Sequence, residues 1–279
     1  MSVHPNILFM KPLTDRDALT RNRRRHRPEA LFLHQHAIEE LQDRLRMVNR
    51  SFLNVAIVTG FPDIWQTAFP TALIVPDDDE LDLVAQSCDL VIHAMSLHWA
   101  NDMVGQLVQC RRALRPDGLF LAVCFGGQSL EQLRTVLSEA EIAVSGGLSP
   151  RVVPMAEIRD LGGLLQRAGL ALPVADSARM TVRYQSPRHL MRELRAMGEN
   201  NALHDRLRQP TVAAVMRRAE ALYTATYGSD DDGRIPATFE LIYLTAWAPD
   251  ASHPKPLRPG SANTRLAQAL KTRENPLID

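Results

Sequence analysis

Apolar positions along the chain switch between helical stripes and short unbroken runs. Residues 29–49, EALFLHQHAIEELQDRLRMVN, set Leu31, Ile38, Leu41, Leu45 and Val48 at helical spacing, with charged residues on the other side. This predicts a leading helix that packs along one stripe. LNVAIVTG reads as a buried parallel strand, because its apolar run is rich in β-branched residues and closes at Gly60. TALIVPDDDE repeats the pattern and ends in acids. CDLVIHAMSLHW gives a third strand through Ile92. In NDMVGQLVQCRRALRPDG, Met103, Leu107, Cys110 and Leu114 share one helical face, with Asn101 as cap and Pro116 and Gly118 as the stop. GLFLAVCFGG is a fourth strand with a glycine turn. Strands alternating with helices predict a doubly wound α/β sheet with right-handed crossovers.

The second half changes character. MAEIRDLGGLLQRAGL is helical in pattern, with Leu161, Leu164, Leu165 and Ala168 apolar, and LPVADSARMTVRYQ reads as a strand. Residues 187–228 look largely helical and precede a closing strand over 238–247, so they form an inserted cap over the sheet. The chain therefore divides into a helical extension (1–50), an α/β core (51–186), the helical cap (187–228), the final core strand (229–250) and an irregular tail (251–279). In that tail Pro254, Pro256, Pro259 and Gly260 resist regular structure.

Composition narrows the functions. Lys plus Arg equals Asp plus Glu at 32 each, so no net field exists to hold a phosphate backbone, and a nucleic-acid partner is disfavoured. Cys88, Cys110 and Cys124 lie apart among apolar neighbours, as expected of buried thiols in a reducing compartment. No apolar run reaches the roughly 18 residues of a membrane span, and the N-terminus lacks the apolar core of a secretory signal, so a soluble protein is expected. TRNRRRHRPEA, residues 20–30, is basic; it reads as the solvated start of the following helix, with contact to an acidic partner as the alternative. His34 and His36 would stand about 200° apart on a helix, and no metal site is expected there.

The run DLVIHAMSLHWANDM, with LRPDGLFLAVCFGGQSLEQLR, GGLSPRV, DLGGLLQRAGL, MGENNA and RIPATFELIYLTAW, resembles the S-adenosylmethionine-dependent methyltransferases. It is similar to the branch of the respiratory complex I assembly factor 5 type, related to the malonyl carrier-protein methyltransferases of biotin synthesis. The resemblance extends from about Asp89 to Trp247 and continues weakly upstream. It implies a Rossmann-like sheet of seven strands, the last antiparallel, with cofactor at the carboxyl ends of the early strands, as is general for open α/β sheets. It further implies a protein client, a respiratory complex I subunit, and arginine hydroxylation as the attributed chemistry. A bacterial source would place the protein in the cytoplasm, peripheral to the inner membrane, and a eukaryotic source in the mitochondrion.

The cofactor loop departs from that family's pattern. A strand ending in an acid and a turn of three glycines is replaced by Ile57, Val58, Thr59, Gly60, Phe61, Pro62 and Asp63. Phe61 and Pro62 fill space, and proline has no N–H to offer. Asp77, with Asp78 beside it, follows Gly60 at a distance suited to a ribose-binding acid. A second alignment puts Asp77 at the end of the third family strand, near the adenine. Either way, the interval from Gly60 to Asp89 is too short for two strand–helix units, so one early unit is expected to be missing. The expectation is the remains of an S-adenosylmethionine site, with Thr59, Gly60, Asp77, Asp78, His93 and Met95 as the residues that would still line it. The competing readings are an active methyltransferase with an altered first loop and a protein arginine hydroxylase.

Chemistry elsewhere falls to His98, a candidate for proton handling, and Trp99, a candidate apolar wall; the alternative is that both pack the loop, their N–H groups satisfied by backbone. Glu199, Asn200 and Asn201 in the cap either grip a cationic substrate such as an arginine side chain or form a polar helix end at Gly198.

Overall fold

Residues 11–229, 231–254, 264 and 266–272 are described by a computed structural model. Four apolar runs become parallel strands: β1 (Val55–Thr59), β2 (Leu73–Val75), β3 (Cys88–Ala94) and β4 (Leu114–Phe125). Two longer strands, β5 (Ala171–Tyr184) and β6 (Ile235–Trp247), complete a six-stranded sheet in the order β2-β1-β3-β4-β6-β5. The last strand, β6, runs antiparallel to both neighbours.

One early unit is absent, as the chain length requires. β2 is three residues long, occupies the sheet edge, and leads through irregular residues 76–87 directly to β3. Because β2 pairs with β1 itself, Asp77 stands just beyond the carboxyl end of the strand next to Gly60. That favours the ribose-acid alignment over the one that set Asp77 on a third strand.

Alternation along the strands builds two apolar layers. Ile57, Leu90, Ile92, Leu121 and Val123 point to one face, and Val58, Val91, Phe120, Ala122 and Cys124 to the other. The first face is covered by α2 (Phe32–Met47), α3 (Pro62–Ala68), α5 (Glu131–Ser145), α7 (Pro187–Ala196) and α8 (Ala213–Tyr227). The second is covered by α4 (Met103–Ala113) and α6 (Ile158–Arg167). All three cysteines are free and buried, and burial pushes the Cys110 and Cys124 thiols up to about 12.

Several boundaries differ from the sequence reading. Asp102, not Asn101, caps α4, accepting from Gly105 N at 2.8 Å, while Asn101 turns away to accept from Thr14 N. Leu114 opens β4 instead of closing α4. The stretch expected as a helical cap holds two helices, α7 and α8, separated by irregular residues 197–212, and β6 begins at Ile235, ahead of position 238. The basic run is not the solvated start of α2: it ends a separate helix, α1 (Arg16–Arg23), and Arg23 is buried. The described residues up to Pro249 form one unit and those from Asp250 another, in which a short helix, α9 (Leu266–Ala269), is described. Much of the predicted irregular tail lies outside the described residues.

Candidate functional site

Two neighbouring regions lie beyond the carboxyl ends of the parallel strands. The first gathers Thr59, Gly60, Asp77 and Asp78 around a cavity of about 560 Å³, whose other lining includes Arg16, Arg23 and Arg24. Arg23 Nη1 donates to both carboxylate oxygens of Asp77, at 2.7 and 2.9 Å, and Arg16 donates to the Asp77 backbone carbonyl and to Asp78. Burial would raise the Asp77 carboxyl, but the Arg23 and then the Arg16 charge outweigh it and hold it below the usual range. The Arg23 guanidinium lies directly on Gly60, so that any side chain there would run into it.

Phe61 and Trp65 do not fill this cleft; they turn into the core. Pro62 takes the first turn of α3, where a missing N–H costs nothing. Phe61 packs against His34 with ring centroids 4.4 Å apart, and Trp65 Nε1 donates to His34 Nδ1 at 3.1 Å. His93 and Met95 are also absent from the cavity lining. His93 is buried with Nε2 2.6 Å from Gln106 Oε1, and Met95, at φ 51°, is fixed by its N–H to the Val123 carbonyl. Both therefore belong to the packing beneath the cleft.

The second region is assembled by a helix stop. Gly198, at φ 82°, adopts the left-handed conformation open to glycine. Its N–H reaches Arg195 O and the Glu199 N–H reaches Leu194 O, the paired bonds of a Schellman ending to α7. That geometry delivers Glu199 onto the loop after β3, where a short 3-10 turn holds Leu97–Trp99. Trp99 Nε1 donates to Glu199 Oε2 at 2.7 Å, and His98 Nε2 lies 3.4 Å from the same oxygen. The sequence brought backbone partners to mind for these ring nitrogens; their partner is this carboxylate instead.

Glu199 has a side chain only 8% exposed, yet its Oε1 has no hydrogen-bond partner, and neither has His98 Nδ1. Burial opposes ionisation of Glu199, but His98, Arg23 and Trp99 together overcome it and hold the carboxyl below its ordinary range. A charged, half-satisfied carboxylate thus sits in the lining of a cavity of about 290 Å³. Phe125, Leu133, Met155, Met191 and Phe239 supply apolar walls, with Trp99, Asn200 and Asn201 beside them. Asn201 is committed locally, donating to Pro150 O and accepting from Leu203 N, and the Asn200 carbonyl accepts from Asn22. Arg151 also lines the cavity, its charge matched by Glu141, which it holds down to about 2 through direct hydrogen bonds.

Arg23 is the residue that sequence reasoning missed. The usable signal was an acid just past an apolar run, Asp77, with no cation beside it in the sequence, and an arginine-rich stretch upstream. Among the described residues no group of three or more His, Cys, Asp or Glu side chains converges as a metal site.

Comparison with known proteins places these features. The methyltransferase domain family matches residues 34–122. A Danio rerio protein described as arginine-hydroxylase NDUFAF5, mitochondrial, is 34% identical over 239 residues, covering 85% of this chain and 72% of its own length. The Dictyostelium discoideum protein of the same description is 41% identical over 205 residues, and this chain spans about half, 47%, of its length. A malonyl-[acyl-carrier protein] O-methyltransferase of Laribacter hongkongensis is 34% identical over 180 residues, 64% of this chain and 58% of that one. Among solved structures, the YcgJ protein of Bacillus subtilis shares the fold at a TM-score of 0.50 and 10% identity, covering 77% of this chain and 99% of its own.

Proposed function

The chain belongs to the methyltransferase-fold family that contains the NDUFAF5 proteins, and from that premise we propose that it binds an arginine side chain of a protein client at Glu199, without ordinary methyl transfer. The observation that carries this reading is the buried Glu199 carboxylate with its free Oε1. An incoming guanidinium would supply the missing charge-assisted hydrogen bonds, and the apolar walls would cover its methylene stem. The relatives described as arginine-hydroxylases support arginine as the recognised group. The resemblance to the respiratory assembly branch makes a complex I subunit the client in this reading. No helix among the described residues is long and apolar enough to cross a membrane.

S-adenosylmethionine fits poorly among the residues present. Its methionine end needs bare backbone at the first turn and its ribose needs a free acid. Arg23 lies against Gly60 and engages Asp77, so both features are taken up by the chain itself. This supports a binding or assembly role over an active methyltransferase, and no step is assigned to the cofactor.

Titration calorimetry with an arginine-containing client peptide tests the proposal. Glu199→Gln is expected to weaken binding by about tenfold or more, the loss of a buried charge-assisted pair. A matching citrulline peptide is expected to bind as weakly to the unaltered protein. Equal affinity for arginine and citrulline would end the proposal. Hydroxylation, carried by the printed description of the relatives, is the second reading; it predicts that the client arginine gains the mass of one oxygen atom after incubation in extract, whereas binding alone leaves the mass unchanged.

A further inference from the structure

We infer that Arg23 is a displaceable plug over a nucleoside cradle that is otherwise retained. This goes beyond the client-binding reading, which requires only that the cleft be closed, and assigns the closure to one side chain instead of to the altered Phe61–Pro62 loop.

Four observations converge on it. First, the bulky ring of the loop turns out of the cleft: Phe61 is buried against His34, while Pro62 begins α3 and stays at the cavity wall without filling the space. Second, the elements a nucleoside needs are still in place. Gly60 remains bare at the end of β1, and Asp77 stands beyond the adjacent strand, as an acid that holds ribose hydroxyls must. Third, the space beside Arg23 is not filled by core. A cavity of about 560 Å³, lined by Thr59, Gly60, Ile74, Asp77 and Asp78, runs along the guanidinium and gives it room to withdraw.

The fourth observation concerns how firmly the plug is held. Arg23 has a side chain 8% exposed, its Nη1 serves both Asp77 oxygens and its guanidinium carbon lies 5.4 Å from the Phe61 ring centroid, but Nε and Nη2 have no hydrogen-bond partner. A buried guanidinium with two idle donor atoms has given up water without full replacement. Its release to solvent therefore recovers hydration that offsets the broken pair, and Arg16 remains on Asp77 and Asp78 to hold α1 in place. Such a side chain can yield to a ligand or to a partner that pulls on α1.

Calorimetric titration with S-adenosylhomocysteine, a probe with the nucleoside and amino-acid ends of the cofactor, tests the plug. The unaltered protein is expected not to saturate at roughly 1 mM, and Arg23→Ala to bind at least about tenfold more tightly. Asp77→Asn added to Arg23→Ala is expected to erase that gain, because the ribose contact goes with the charge. Should Arg23→Ala fail to fold, Arg23→Met, which keeps an apolar stem beside Phe61 but cannot engage Asp77, carries the same comparison. Low-micromolar binding by the unaltered protein, or no gain in a folded Arg23 variant, overturns the inference. The arginine-peptide titration compares the unaltered protein with Glu199→Gln and leaves Arg23, whose charge bears on Glu199, in place, so failure of the plug leaves the Glu199 reading standing, and failure at Glu199 leaves the plug standing.

Discussion

His34 shows how a single buried ring links packing to pH. Burial holds its pKa down at about 3, against an upward pull from Glu199 that exceeds the further lowering by the Arg23 charge. Neutral, its Nδ1 accepts from Trp65 Nε1. In the unfolded chain the same histidine takes up a proton near pH 6.5. Between those values the unfolded state binds the extra proton, so folding stability rises with pH across the window and is lost as pH falls through it, at about 1.4 kcal/mol per pH unit. His34→Gln keeps an acceptor for Trp65 and removes this titration. Urea unfolding between pH 4 and pH 6.5 is therefore expected to give a shallower slope in the variant, with the buried His93, also depressed, supplying part of what remains. Identical slopes would show that His34 does not enter the fold neutral. At this scale the sequence was partly legible. Glu199 was a candidate from its amide neighbours, but nothing local disclosed Arg23, because burial of an arginine depends on an acid 54 positions away.

Among the elements, the ending of α7 determines where the site stands. Gly198 is needed twice: its positive φ excludes most side chains, and an added Cβ would meet Arg23 Cα at 3.1 Å and Phe61 Cζ at 3.3 Å. Gly198→Ala is expected to cost about 1–2 kcal/mol in chemical denaturation and to weaken arginine-peptide binding by moving Glu199. Unchanged peptide affinity in a destabilised variant would detach the Schellman turn from recognition. The strands and α2, α4 and α6 could be read from periodicity because each buries one face. The ends could not: Asp102 outcompeted Asn101 as cap through a geometry set by Thr14, and the 197–212 segment breaks the cap because its backbone bonds go to α1 and the loop before it, among them His204 N to Leu13 O and Asp15 N to Ala202 O.

At the scale of the molecule, the N-terminal extension is bound to the far side of the sheet. Arg44 on α2 makes two parallel bonds to Asp176 on β5, at 2.7 and 2.6 Å, and its guanidinium lies 4.4 Å from the Tyr243 ring on β6. Both charged side chains are partly open to water, so the pair is worth little more than a good surface bridge. Asp176→Ala is expected to lower stability by about 1 kcal/mol, and the loss is expected to shrink when Tyr243→Leu is already present, since Arg44 serves both. Strict additivity in that cycle would mean the two contacts act separately. The α/β class was legible from strand alternation and the missing early unit from the short interval after Gly60, while the antiparallel last strand was implied by the family resemblance alone. Which acid lies beside which strand required the sheet order, which no one-dimensional pattern carries.

The three-residue edge strand has a consequence of its own. A sheet that has lost its outer unit would ordinarily present a long row of unpaired amides and carbonyls, a template on which another chain can grow. Here β2 stops after Val75 and the chain turns off through Pro76 into acids that Arg16 and Arg23 hold in place, so the ladder offers too few rungs to propagate. At this edge of the sheet, the opposite one being the long β5, truncation of the fold and the short ladder come from the same few residues.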